Sequence, residues 1–107
     1  MKVETRQNMN LQILGTFTKF LDGLSAGDSG KIYAHLKSLE RDQTEGLTIK
    51  PLKGKIQEIV VKQYRIVFFR IGATGYVVDA FRKQSKKTPK RIIERAEKIY
   101  RDIKNSC

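Results

Sequence analysis

Three runs rich in β-branched and aromatic residues, Ile56–Val61, Tyr64–Ile71 and Tyr76–Phe81, follow one another with almost nothing between them. Connections this short leave no room for a crossover, so the strands pair antiparallel. Gly72-Ala73-Thr74-Gly75 reads as a hairpin connection. Lys62-Gln63 lacks the Gly or Asn that a tight hairpin favours, which leaves the register of that pair open. A sheet must bury one face, and the flanking sequence supplies helices to cover it. From Thr16, the residues Phe17, Phe20, Leu21 and Leu24 fall at helical spacing. Ser25-Ala26-Gly27-Asp28 interrupts them, with Ser25 or Asp28 as the cap of a second helix running to about Asp42. Its Ile32, Leu36 and Leu39 face inward. Thr88 as N-cap and Pro89 at the first helical position open a last helix. Ile92, Ala96, Ile99 and Ile103 form its apolar stripe, flanked by Ile93 and Tyr100. Residues 3–14 fit either a short strand or the lead-in to a helix, and residues 50–55 read as a basic loop. The expected fold is α+β, one domain over residues 1–107: an N-terminal helical hairpin, an antiparallel sheet and a C-terminal helix.

Alternation along the strands assigns side chains to faces. Ile59, Val61, Ile66, Phe68, Val78 and Ala80 make an apolar set suited to packing under helices. Glu58, Arg65, Asp79, Phe81 and Lys83 then share the other face. A slip of one residue would invert the assignment.

Charge separates the chain into two halves. Residues 1–49 carry six basic residues, Lys2 and Arg6 among them, and six acidic ones including Glu4. Residues 50–107 carry 16 basic and five acidic residues, so the whole net charge of +11 lies there. Concentration on one half points to a polyanionic partner rather than to general solubility. Other classes recede. The one cysteine, Cys107, excludes an internal disulfide and a four-Cys zinc site, and the one histidine, His35, argues against a His-based metal site. This cysteine usage fits a reducing, cytoplasmic setting. No apolar run approaches the ~18 residues of a membrane helix, and the Met1-Lys2 start lacks the apolar stretch of a signal peptide. P-loop, Rossmann and G-x-S-x-G patterns are missing. Catalysis must therefore use Lys, Arg, Tyr, Asp or Glu.

The order of several short motifs is specific. Lys50-Pro51-Leu52 is followed by Glu58, then Tyr64-Arg65-Ile66-Val67-Phe68-Phe69. Phe81-Arg82-Lys83-Gln84-Ser85-Lys86-Lys87-Thr88-Pro89 comes next, before a helix rich in Ile, Ala, Glu and Arg. This order resembles the RelE superfamily of toxins from bacterial toxin–antitoxin pairs, in its phage-related HigB-like branch, over roughly residues 15–104. The resemblance implies the fold derived above and an mRNA endonuclease acting in the ribosomal A site. There a ribose 2′-hydroxyl attacks the adjacent phosphate without metal or cofactor, and an antitoxin masks the active site. The sequence departs from that branch at two places. Val60 stands where members commonly carry Arg, and Asp79 where they often carry His. A gyrase-targeting ParE-like toxin and a non-catalytic nucleic-acid-binding phage protein are the alternatives.

Metal-free ribonuclease chemistry needs a base for the 2′-hydroxyl, a cation for the phosphorane and an acid for the leaving oxygen. Arg65 is the candidate clamp on the phosphorane, against the plainer reading of a surface arginine paired with Glu58 or Asp79. Lys83, Lys86 and Lys87 are candidates for proton transfer or phosphate contact, against a solvated loop. Glu58 and Asp79 are read as orienting Arg65 and Lys83, with Asp79 as base a lesser option. Phe81 can stack on a base. Lys50, Lys53, Lys55, Lys62, Arg82, Lys90 and Arg91 extend the RNA-binding zone. Tyr64 is read as core with its hydroxyl at the edge, and His35 as a surface or boundary residue.

Overall fold

A computed structural model describes residues 9–106. Cys107 and the first eight residues, with Lys2, Glu4 and Arg6, lie outside the described residues, as do the readings made on them. The elements are β1 (Asn10–Ile13), α1 (Gly15–Asp22), α2 (Ala26–Glu40), β2 (Thr48–Lys53), β3 (Ile56–Val61), β4 (Tyr64–Ile71), β5 (Thr74–Arg82) and α3 (Lys90–Ser106). The α+β architecture and the order of helices and central strands are as expected. The sheet is larger: it has five strands in the order β1-β5-β4-β3-β2, with β1 parallel to β5 and the other pairs antiparallel.

Both added strands are edges. The stretch 50–55, expected as a loop, is mostly β2, and only Gly54-Lys55 forms the turn. Pro51 is compatible with β2 because an edge strand has one side without ladder partners, and the pairing shifts between Pro51 and Lys53. Of the stretch 3–14, read as either strand or helix lead-in, the described Asn10–Ile13 form a strand.

The sheet is buried on both faces. α1 and α2 cover one, where Phe17, Leu21, Ile32, Leu36 and Leu39 meet Ile59, Val61, Tyr64, Ile66, Phe68, Val77 and Ala80. α3 covers part of the other, where Ile92 and Ala96 meet Ile56, Val67, Phe69 and Val78. Val78 thus lies opposite to its expected face. The cause is a bulge: Val67 pairs with Asp79 but Phe68 with Val77, so Val78 is an extra residue on β5. Val78 and Asp79 consequently both turn toward α3, which simple alternation forbids.

Helix starts follow local chemistry. Ser25 caps α2 by accepting from the Asp28 N–H at 3.2 Å. α3 begins one residue later than expected: the Pro89 carbonyl accepts from the Ile92 and Ile93 amides. The cap position thus falls on Pro89 rather than Thr88, whose hydroxyl donates to Glu58. Three two-residue turns join β2 to β5, and each opens on a left-handed residue: Gly54 (φ 56°), Lys62 (φ 55°) and Gly72 (φ 60°). Glycine takes this conformation without strain, whereas a side chain costs about 1–2 kcal/mol. Lys62 therefore needs to be held in place. Among the described residues no helix is long and apolar enough to cross a membrane.

Candidate functional site

The register places the candidate residues in two rows across the α3 side of the sheet. One row reads Thr48, Val60, Arg65, Phe81 and the next Lys50, Glu58, Val67, Asp79, on β2, β3, β4 and β5. Directly opposed residues share a face, so Glu58, Arg65, Asp79 and Phe81 stand together. Val60 is the direct neighbour of Arg65 on β3.

Arg65 sits where β4 leaves the Lys62-Gln63 turn, its side chain only 13% exposed. One terminal nitrogen donates to the Lys62 carbonyl at 3.0 Å and to the Tyr64 carbonyl at 2.8 Å. Its Nε is buried and makes no hydrogen bond among the described residues. The nearest Glu58 oxygen is 3.8 Å away, an ion pair but not a hydrogen bond. Glu58 itself is buried and accepts from the Thr88 hydroxyl at 2.8 Å. That bond brings the far end of the 83–89 segment from β5 back across β4 to β3. Asp79 is 9% exposed, accepts from the Ala80 amide at 2.9 Å and lies 3.8 Å from Arg95 of α3. Arg95 also donates to Thr16 at 2.5 Å. Both carboxylates on this side therefore have partners, as orienting or neutralising groups would.

Lys83 is half-buried, and its amide donates to the Gln63 carbonyl at 2.7 Å. Three successive carbonyls, those of the turn and of Tyr64 after it, thus anchor Arg65 twice and Lys83 once. Lys86 and Lys87 are exposed on the segment beyond. Other candidates lie elsewhere. Lys53 pairs with Glu97 at 3.5 Å. Lys55 occupies the β2–β3 turn, at the opposite end of β3 and about 20 Å from Lys62. Lys50 is exposed on β2, in register with Glu58. Arg82 turns to the other face, its guanidinium 5.6 Å from the Tyr64 ring centroid. Lys62 points there too, bonded to Asp28. Lys90 pairs with Glu94 at 3.7 Å, and Arg91 is exposed.

Asp28, in the sequence only an alternative to Ser25 as the cap of α2, has a role that its local pattern does not signal. It lies in the first turn of α2, and its side chain accepts from Lys62 Nζ at 3.0 Å and from the Tyr64 hydroxyl at 2.6 Å. Tyr64 is 1% exposed and belongs to the core, as expected. The Tyr64 and Lys62 hydrogen bonds hold the Asp28 carboxyl below the ordinary 3.8. The same contact raises the Tyr64 phenol above 10.0. The stability Asp28 contributes is therefore present above about pH 4 and lost as pH falls through its lowered folded value; Tyr64's is present below about pH 10 and lost as pH climbs through its raised one. Urea unfolding followed between about pH 2 and pH 6 should show an acid-side loss that is shallower in Asp28→Asn. An identical slope in both forms would contradict it.

Residues 19–101 match a family described as phage-derived protein Gp49-like. No curated protein matches the chain. Among solved structures, it is similar to the RelB–RelE antitoxin–toxin complex from Methanococcus jannaschii. That match has TM-score 0.58 and 22% identity, covering 65% of this chain and 87% of that one. It is also similar to the RelBE2 toxin–antitoxin complex from Mycobacterium tuberculosis. Here the TM-score is 0.59 and the identity 13%, covering 73% of this chain and 94% of that one. The fold is RelE-like.

Proposed function

This chain belongs to the Gp49-like family of phage-derived proteins, and from that premise and its RelE-like fold we propose that it is the toxin of a type II toxin–antitoxin pair. Its activity is ribosome-dependent cleavage of mRNA, in the manner of the HigB-like branch, and its partner is an acidic antitoxin. The observation that carries this reading is Arg65: a guanidinium fixed by two backbone carbonyls and backed by the Glu58 carboxylate at 3.8 Å, beside a segment bearing Lys83, Lys86 and Lys87. A guanidinium fixed in this way is suited to an anionic oxygen.

In the proposed reaction the ribose 2′-oxygen attacks phosphorus, the 5′-oxygen leaves, and a 2′,3′-cyclic phosphate remains. Arg65 meets the charge that builds on the phosphorane, where a fixed donor acts most strongly. The lysines of the 83–87 segment bind phosphate and move the two protons, one from the 2′-hydroxyl and one to the leaving oxygen. Glu58 holds Arg65 from one side, and Asp79, engaged by Arg95, fixes α3 beside it. Phe81, in the Arg65 row, offers a ring to a base.

The test is expression of the chain without an antitoxin, with 3′ ends of transcripts mapped after brief induction. Growth arrest with cuts phased to codons is the expected result. Intact transcripts with a DNA-damage response would replace this reading with gyrase poisoning. Salt-sensitive RNA binding without cleavage on programmed ribosomes would replace it with a non-catalytic binding role.

A further inference from the structure

The sheet has a cluster of polar side chains on the side away from Arg65. Asp28, Lys62, Tyr64 and Arg82 meet there, at the corner formed by the start of α2, the β3–β4 turn and the end of β5. The carboxylate of Asp28 takes one bond from Lys62 and one from Tyr64. These are the two residues whose backbone carbonyls hold the Arg65 guanidinium on the other side. Gln63, between them, holds the Lys83 amide. Arg82 donates to the Tyr64 hydroxyl at 3.4 Å, and the Phe20 ring meets the Tyr64 ring edge-on at 5.9 Å.

The turn needs such a clamp. Its first residue is left-handed, and two of the three equivalent turns place glycine there. Lys62 pays conformational strain that glycine would avoid, and its side chain gives something in return, the bond to Asp28. We infer that Asp28 is a positioning residue: acting through the β3–β4 turn from the opposite face of the sheet, it aims Arg65 and anchors Lys83. This rests on the reading of Arg65 as the phosphate clamp. Asp28 itself stays on the helical side and contacts no RNA. α2, whose outer surface carries little net charge, thereby sets the geometry of the cationic side.

The experiment uses the full chain, Asp28→Ala and Tyr64→Phe. Asp28→Ala leaves the Ser25 cap and favours helix, and Tyr64→Phe keeps the buried ring, so at least one form folds. Side-chain ¹⁵N–¹H spectra report Arg65, whose signals are assigned by their loss in Arg65→Lys. In the unmutated chain the anchored guanidinium rotates slowly and gives resolved Nη protons. In both variants those signals should broaden and merge while the sheet amides keep their positions. On programmed ribosomes kcat should fall at least about tenfold with KM unchanged, because a small displacement of a catalytic group is costly. Resolved Nη signals persisting in a folded variant would overturn the inference, as would merged signals with an unaltered kcat. If the unmutated chain cleaves nothing, the ribonuclease reading falls, and the Nη spectra still decide whether Asp28 positions Arg65.

Discussion

Arg65→Ala should reduce transcript cleavage by about 10²–10³-fold while the chain stays folded, the usual loss when one fixed donor to a developing charge is removed. Two features make Arg65 the most sensitive position. Its guanidinium is bonded to carbonyls of its own turn, so little reorganisation accompanies the reaction. Val60 faces it on β3, so no second guanidinium stands in that row to share the work. Removing the side chain leaves the buried Glu58 with Thr88 as its bonded partner, and the structural cost should be about 2–3 kcal/mol. Arg65→Lys separates charge from geometry. An ammonium keeps the positive charge but cannot bind the turn carbonyls and a phosphate with a planar fork. It should lose most of the activity as well. Cleavage on programmed ribosomes and thermal unfolding, measured on the same preparations, check both parts. Activity within a few-fold of the unmutated chain would remove Arg65 from the mechanism.

The largest effect on stability is expected at Phe69→Ala, about 3–5 kcal/mol. Against a total of about 5–15 kcal/mol for a domain, that is a large fraction. Phe69 is fully buried between sheet and α3. Its ring stacks on Tyr76 at 5.3 Å and meets Tyr100 edge-on at 5.1 Å. Truncation opens a cavity under the middle of α3, and the stripe Ile92, Ala96, Ile99 and Ile103 loses its facing ring. The midpoint of urea unfolding should fall accordingly, with a smaller loss in Phe69→Leu, which refills part of the volume. A change below about 1 kcal/mol would mean that α3 contributes little to the core.

What the sequence disclosed follows how far each interaction reaches. The Ser25 cap, the inward residues of α2, the stripe of α3 and the face-sharing of Glu58, Arg65, Asp79 and Phe81 rest on neighbours within a few positions or on simple alternation. They were legible for that reason. β2 was not, because a short edge strand carrying Lys50, Pro51 and Lys53 has the composition of a loop, and its strand character comes from β3 alone. The Val78 bulge was hidden because it is a property of pairing with β4. Thr88-Pro89 is a helix-start signature, yet the Thr88 hydroxyl goes to a carboxylate 30 positions away. Asp28 offers itself in the sequence only as an alternative to Ser25 for the cap, while its partners lie 34 and 36 positions along the chain. The strand residues expected to share a face therefore do so. The contacts that would hold those residues in place had no local signal.

The bond from the Lys83 amide to the Gln63 carbonyl has an experimental use. It lies at the root of the basic segment, where the strand ladder gives way to the chain that crosses to Glu58. Its proton can exchange with solvent only when that junction opens, so its exchange rate measures the local opening free energy directly. A single backbone proton thus serves as a built-in gauge. Read with and without RNA or a protein partner, it would tell whether a ligand tightens the root of this segment or pries it apart, with no label attached and no residue changed.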